Sequence, residues 1–504
     1  MITLITIGVI VALLIAVAIY DLTQRELPIL RNFPIIGHLR YIIEAFGPEL
    51  RQYIVTGNED ERPFNRNERR WIYATAEKEN AYFGFGTDMN FDMATSHILI
   101  KPAAFPLEAS QLPNELPCAK VMGAARNRAK AFRPTSVVNI SGMSFGALSA
   151  PAVEAMNQGA RIAGALHNTG EGGLGAPHQA GGDLIFQIGT GYFGCRDSQG
   201  NFNLERLVEL VGTNPVKAIE IKISQGAKPG HGGILPAAKV TKEIAEARGV
   251  APGVDCVSPS SHRAFHDVSS MLDFVESIAE ATGLPVGIKS AVGEMGFFDD
   301  LAAQMVSSGR GIDFITIDGG EGGTGAAPLA FADHVSLPFR AGFSAVYKTF
   351  YEAGLADDIV FNGSGKNGIP ANAFLAFALG ADMVSVGREA MLSIGCIQAQ
   401  RCHTGRCPAG IATQSKWLMR GLDPSFKSAR VANYLVALRE ELVSLSSVCR
   451  EVHPALVGLD SIDLLNAETV VSASESFGYE PPMGRVNAEA RAHLEHFARD
   501  ARSA

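Results

Sequence analysis

The 504 residues leave room for up to three domains of ordinary size, although an α/β barrel often takes about 250 or more as one unit. With 47% hydrophobic and 19% charged residues, disorder and a coiled coil are excluded, and 53 glycines announce tight turns and close backbone approaches. The net charge of −9 supplies no field for polyanions, which argues against nucleic-acid binding, and seven cysteines in so long a chain read as reduced thiols rather than a disulfide scaffold.

Ile2 to Tyr20 carries no charge and is mostly Ile, Val, Leu and Ala, long enough at ~1.5 Å per residue to cross the ~30 Å hydrocarbon core. Residues 1–20 are therefore expected as a transmembrane helix. A cleaved signal is the alternative, with Ala16 to Ala18 resembling a cleavage site, but no basic residue precedes the run. A buried core helix is a third reading, disfavoured because the run extends to the terminus without a polar face. Arg25, Arg31 and Arg40 follow it, so the positive-inside rule puts the rest of the chain in the cytoplasm, as a single-pass membrane protein.

Residues 21–130 mix Arg, aromatics and Pro without a sustained period and are expected to wrap the main domain, with Tyr82 to Gly86 as a packed loop. From residue 131 to 465 short apolar runs alternate with helix-like stretches. The runs are Val137 to Ser141, Gly164 to Asn168, Leu184 to Ile188, Ala218 to Ile223, Val286 to Lys289, Asp313 to Ile317, Ile359 to Asn362 and Met383 to Val386. Eight such strands predict an α/β fold, a closed (β/α)8 TIM barrel. Ser428 to Ser447 follows as a helix, and residues 466–504 are expected as a surface extension.

In such a barrel the chemistry sits at the carboxyl ends of the strands. Polar and glycine-rich stretches cluster there: Ser141 to Gly146, Asn168 to Gly173, Gln225 to Gly230 and Asp318 to Gly325. Any one of these reads equally as a turn; several on one rim point to an active site. Strand seven opens into Asn362 to Gly368 and strand eight into Gly387 and Arg388, where barrels commonly hold a phosphate. Amides of Gly363, Ser364, Gly365 and Gly387 then face the phosphate beside the Arg388 guanidinium. A tight turn is the alternative for this Gly-Ser-Gly. Lys289 is a preorganised cation for a reduced flavin or a substrate carboxylate, or else an ordinary ion-paired lysine.

Cys396, Cys402 and Cys407 stand six and then five positions apart in a loop with Gly395, Gly405, Pro408 and Gly410. Three soft thiolates suit an iron–sulfur cluster. Zinc with His403 as a fourth ligand is awkward because His403 adjoins Cys402, and three packed thiols remain the plain alternative. Cys118, Cys195, Cys256 and Cys449 read as buried small hydrophobes.

These stretches resemble the FMN and iron–sulfur part of the glutamate synthase family, in its stand-alone membrane-anchored relatives. The resemblance rests on Ser141 to Ser149, Asn168 to Gly173, Glu220 to Gly233, Gly287 to Ser290, Asp318 to Pro328 and Cys396 to Gln414, in the family's order. It implies FMN, a [3Fe-4S] cluster on Cys396, Cys402 and Cys407, and reductive amination of 2-oxoglutarate to L-glutamate. It also implies that Met143, Ser144, Asn168, Gln187 and Lys289 line the flavin, with Gly363, Gly365, Gly387 and Arg388 at its phosphate. Glu220, pointing into the barrel, would receive or polarise ammonia, making Lys289 and Glu220 the catalytic pair.

Two departures bear on the reaction. No glutaminase domain precedes the barrel and no long β-helix follows it, so nitrogen is expected as free ammonia, from a separate amidotransferase, or as another amine. The loop from Asp318 to Gly323 is longer than relatives often carry, and no nicotinamide-binding domain is visible, so ferredoxin or a reductase subunit is the expected donor. The competing readings are a membrane-anchored electron-transfer component and an FMN isomerase; an isomerase has no use for the cysteine triplet.

Overall fold

The computed structural model describes residues 2–47, 58–82, 84–108, 112–113 and 115–500. Eight parallel strands close a barrel: β1 (Val138–Ile140), β2 (His167–Asn168), β3 (Leu184–Ile188), β4 (Val216–Lys222), β5 (Val286–Ser290), β6 (Phe314–Asp318), β7 (Val360–Ser364) and β8 (Met383–Val386). Their ring order is the chain order, β8 pairing with β1, so the fold is the α/β barrel expected of alternating runs. Each strand overlaps its expected run. The second shrinks to two residues, because Gly164 ends the preceding helix in the left-handed region and cannot begin the strand.

Side chains alternate across each strand, and the inward-facing ones form tiers. At the amino ends Leu166, Ile185, Ala218, Phe314, Val360 and Met383 make a buried apolar tier, plugged from below by Cys118 and Met122. Buried ion pairs bolt that plug on: Lys120 lies 2.8 Å from Asp382, and Arg128 bridges Asp313 at 3.0 Å and Glu276 at 2.6 Å. Two residues along each strand the tier turns polar, with Asn168, Gln187, Glu220, Thr316, Asn362 and Ser385 all buried.

Six helices matter below: α1 (Ile2–Thr23), α2 (Gly37–Ala45), α3 (Arg66–Glu77), α4 (Ala150–Ala163), α5 (Arg388–Ser393) and α6 (Pro424–Val448). α1 is long and apolar enough to cross a membrane, and its apolar stretch is exposed up to the last turn, where Asp21 is buried. α6, started by Asp423 capping Ser425 and Phe426, runs beyond its expected bounds at both ends and packs along α4 and α3. Two expectations are corrected. Tyr82 and Phe85 are exposed rather than packed, while Phe83 lies outside the described residues. The segment after 466 is more than a surface extension: Thr469–Ser472 joins a sheet with Ile462–Asn466 and His97–Ile100, and Tyr479, Leu494 and Ala498 are buried.

Candidate functional site

The polar tier is one hydrogen-bonded ring. Glu220 Oε1 accepts from Asn168 Nδ2 at 2.8 Å and from Gln187 Nε2 at 2.7 Å, while Oε2 accepts from Thr316 Oγ1 at 2.6 Å. Asn362 Nδ2 donates to Thr316 Oγ1 at 3.0 Å and to Ser385 Oγ at 2.9 Å. The carboxylate fixes both amides with their N–H groups toward it, so their carbonyl oxygens face elsewhere. Asn168 Oδ1 takes the amide of Gly170 at 3.0 Å. The strand β1 exit lies directly over this ring: a Cβ at Gly142 would sit 2.7 Å from Asn168 Oδ1 and 2.9 Å from Gln187 Nε2. Met143 and Ser144 follow, half-buried, their backbone against Gly170.

Lys289 on β5 completes the tier, its Nζ 3.4 Å from Asp318 Oδ2. Burial works against its ammonium, but Asp318 and Glu220 outweigh that and raise it above the ordinary lysine value. Burial alone would raise Asp318; Lys289, the Gly226 amide at 2.9 Å and Ser364 Oγ at 2.8 Å hold it below the usual range. Lys289 is thus a cation at the barrel centre whose charge Asp318 and Glu220 favour.

On the β7 and β8 side, Gly365 has φ +124°, open only to glycine, and its position over Gly319 leaves no room for a side chain: a Cβ would lie 3.0 Å from Gly319 N. Gly387 caps α5 with open space around it, its nearest neighbours Ser141 Cβ and Met143 Sδ standing 3.6 and 3.9 Å from an added Cβ. Gly363 is buried against Phe339. Arg388 turns its guanidinium onto the Phe64 ring, 5.1 Å from the centroid, and donates to the Glu321 carbonyl.

α5 leads straight into the cysteine loop. Burial pushes the Cys396 thiol up to about 12, and Cys407 and Cys402 add to the rise, so the three sulfurs lie within charge–charge reach. Among the described residues no three His, Cys, Asp or Glu side chains are grouped closely enough to hold a metal ion, and His403 is exposed. The loop touches the barrel mouth, since a Cβ on Gly325 of the β6 loop would lie 3.0 Å from Cys402 Cβ. Tyr73 of α3 and Gln398 tie it down, Tyr73 donating to the Cys396 carbonyl at 2.6 Å and Gln398 bonding the Phe64 backbone. Cys118, Cys195 and Cys256 are buried as expected of small hydrophobes, but Cys449 is half-exposed at the end of α6.

Three members of the ring, Thr316, Asn362 and Ser385, escape a reading of the sequence alone, while the rim stretches Asn168 to Gly173 and Gln225 to Gly230 meet in a cleft at the β4 exit. There Lys222 lies 2.9 Å from Glu171, with Lys228, Ser224, Gln225 and His231 around it. Burial lowers Lys228, and it opposes the lowering of Glu171 by Lys222. The missed signal is a polar residue in the middle of an otherwise apolar strand, as at Thr316 in Phe314–Asp318.

Comparison with known proteins matches this architecture. The family model of the conserved region in glutamate synthase covers residues 96–451. The glutamate synthase large subunit-like protein YerD of Bacillus subtilis is 37% identical over 466 residues, 85% of this chain and 88% of that protein. An archaeal glutamate synthase [NADPH] of Methanocaldococcus jannaschii is 38% identical over 309 residues, 61% of this chain and 58% of that one. The ferredoxin-dependent glutamate synthase of Cyanidium caldarium is 34% identical over 364 residues, 66% of this chain and 22% of its own length. A polar ring in a closed barrel, a glycine cradle after its last two strands and a matched region running through the cysteine loop together make this chain a member of the glutamate synthase family.

Proposed function

We propose that the chain is an FMN- and [3Fe-4S]-dependent oxidoreductase that converts 2-oxoglutarate and externally supplied ammonia to L-glutamate, held at a membrane by α1 with its barrel on the cytoplasmic side. Each turnover takes up two electrons and two protons per 2-oxoglutarate and ammonium and releases one water. The observation that carries the reading is continuity: β8 runs through Gly387 and α5 into Cys396, so the cradle and the thiols share one stretch of chain, and Gly325 touches Cys402.

The residues present fit both groups. Gly387 stands in open space beside Ser141 and Met143 and Gly365 holds a backbone conformation open only to glycine, which suits close approach of a phosphate, and the three thiols have the donor chemistry of iron–sulfur ligands. Gly363, Ser364, Gly365, Gly387 and Arg388 would hold the FMN phosphate; Met143, Ser144, Asn168, Gln187 and Lys289 would line its ring; Cys396, Cys402 and Cys407 would hold the cluster. When bound, the cluster relays single electrons and the flavin delivers them to substrate as a pair. Lys289 stabilises negative charge on the ring without giving up a proton, because Asp318 keeps it charged. Glu220 fixes the Asn168 and Gln187 amides and takes the charge of an arriving ammonium. Lys222 and Lys228 offer the substrate carboxylates two cations at the barrel mouth.

The test is anaerobic purification of the full chain in detergent, with flavin, iron and sulfide analysis, followed by chemical reduction and addition of 2-oxoglutarate with ammonium. Flavin reoxidation with stoichiometric glutamate supports the reading. A reduced flavin that ignores 2-oxoglutarate with every amine tried, yet passes electrons to an external acceptor, favours the electron-transfer component instead. The donor is proposed as ferredoxin or a membrane reductase, and a separate amidotransferase as one source of ammonia.

A further inference from the structure

α2 is built inside out. Ile36, Leu39, Ile43 and Phe46 recur at helical spacing and are 77%, 58%, 53% and 61% exposed, with Ile42 beside them. The polar residues of the same helix face the protein or one another. His38 Nε2 donates to the buried Asp21 carboxylate at 2.8 Å, Arg40 pairs with Glu44 at 3.5 Å, and Tyr41 is half-buried. A helix on a water-exposed domain shows the opposite arrangement, so this stripe is fitted to a non-aqueous surface.

The stripe is continuous with α1. Asp21, in the last turn of α1, also accepts the Ile35 amide at 2.8 Å, which locks the start of α2 to the end of the apolar helix. Asn32, buried between them, donates to the carbonyls of Pro408 at 3.0 Å and Leu418 at 2.8 Å. Those two bonds bring Trp417 onto the same face, 53% exposed, with the Arg420 guanidinium 3.2 Å from its ring centroid and Arg420 bonded to the Arg31 carbonyl. Exposed apolar side chains, an exposed tryptophan and the cations Arg25, Arg31 and Arg420 in one band are the composition of a membrane–water interface.

We infer that α2 and Trp417 lie in the headgroup layer of the bilayer as a second, non-spanning contact that fixes the barrel's orientation, an inference that rests on α1 being a membrane span. Because Asn32 holds Pro408, the residue after Cys407, this contact turns the cysteine loop toward the membrane surface.

The chain carries its own reporter, since it has two tryptophans and Trp71 is 9% exposed, packed edge-on against Tyr434. The full chain is reconstituted into vesicles of zwitterionic and anionic phospholipid in which a fraction is brominated high on the acyl chain, and tryptophan emission is measured alongside vesicle flotation. The native chain should lose Trp417 emission to the bromolipid, and Trp417→Phe should abolish that quenching. Leu39→Glu with Ile43→Glu should remove the quenching while flotation through α1 persists. A floating protein whose Trp417 is unquenched overturns the inference and leaves the span intact, its stripe then covered by a second copy or another protein. Quenching unchanged in the double Glu variant overturns the part of α2. A folded chain that does not float overturns the span and the inference together. If the double variant does not fold, the native chain against Trp417→Phe still decides.

Discussion

Lys289 Nζ lies 3.4 Å from Asp318 Oδ2 at the centre of the barrel, with the two side chains only 7% and 9% exposed. Removing one partner strands the other in a low-dielectric interior. Asp318→Asn is expected to cost about 3–5 kcal/mol in urea unfolding, and Lys289→Met combined with Asp318→Leu much less. The pH dependence separates this from simple repacking. Asp318 is depressed, so its contribution is present above the ordinary Asp value of about 3.9 and disappears as pH falls through its folded value. Lys289 is raised, so its contribution is present below about 10.4 and disappears as pH rises through its folded value. The native pair should therefore add no slope of its own between those limits. Asp318→Asn should make stability rise more steeply with pH than in the native protein, as the unpaired ammonium becomes easier to neutralise. A variant profile parallel to the native one would show that Asp318 does not hold the charge.

Among the described residues, the three hydrogen bonds to Glu220, from Asn168, Gln187 and Thr316, all come from barrel side chains. Glu220→Gln keeps the volume and leaves a carbonyl oxygen to accept from both amides, but it removes the carboxylate's charge and sets an amide N–H2 against Thr316 Oγ1, which must then accept where it donated. With bound flavin, turnover should fall on the order of 10²-fold while flavin content stays near that of the native protein. The flavin absorbance band should also shift, because the buried negative charge beside it is gone. Loss of flavin altogether would mean that Glu220 holds the fold rather than the site.

The barrel is legible because its strands are punctuated: Leu184 to Ile188 and Met383 to Val386 are apolar runs bounded by turn residues, and the structure begins and ends those strands at the same positions. Glu220 stands out as a charge inside an apolar run, and its burial follows from that. Thr316, Asn362 and Ser385 do not stand out, since a lone Thr, Asn or Ser fits a strand end or a turn equally well. Only the closed register, which brings Thr316 opposite Asn362 and Lys289, turns them into a ring. The outward stripe of α2 is illegible for a related reason. Ile36, Leu39, Ile43 and Phe46 span too few residues to show as a sustained period, and which side of the helix faces the protein is decided by Asp21 and His38, a contact across 17 residues.

Lys427 is wholly buried on α6, its Nζ donating to the Glu26 carbonyl at 2.7 Å beside the segment that leads from α1. Burial drives it down to about 7, with Arg430 adding to the fall. The unfolded chain therefore holds a proton that the native protein has lost between about 7 and the ordinary lysine value, and stability should rise with pH across that window. Lys427→Met removes the slope, raising stability most below pH 7, provided the Glu26 carbonyl finds another donor. Parallel unfolding curves for native and variant protein at several pH values check this; an unchanged slope would assign the pH dependence elsewhere.

Gly365 tests the cradle by itself. Its φ of +124° is barred to side chains, and an added Cβ would press 3.0 Å from Gly319 N, so Gly365→Ala must displace one loop or the other. The strain costs about 1–3 kcal/mol, and it falls where the phosphate would sit. Flavin content should drop sharply and recover in part with excess FMN, whereas iron content should stay, because the cysteine loop is held by Tyr73 and Gln398 rather than by Gly365. Native flavin content in Gly365→Ala would move the phosphate away from the β7 exit.

Cys402 separates the cluster from every other role of the loop. It lies against Gly325 at the barrel mouth and within charge reach of Cys407 and Lys239, and its sulfur takes a hydrogen bond from its own backbone N–H. Cys402→Ser keeps the side-chain volume and removes one soft ligand of three, so iron and sulfide should fall to background while flavin stays bound. Electron transfer from an external reductant to the flavin should slow with it, yet direct chemical reduction of the flavin and its reoxidation by 2-oxoglutarate with ammonium should be spared. Cys449→Ser is the control: Cys449 is also half-exposed, but its sulfur faces the Lys101 carbonyl at 3.8 Å, far along the chain from the loop, and its replacement should leave iron untouched. Iron retained in Cys402→Ser, or lost equally in Cys449→Ser, would dissociate the metal from the loop after β8 and leave Cys396, Cys402 and Cys407 as packed thiols.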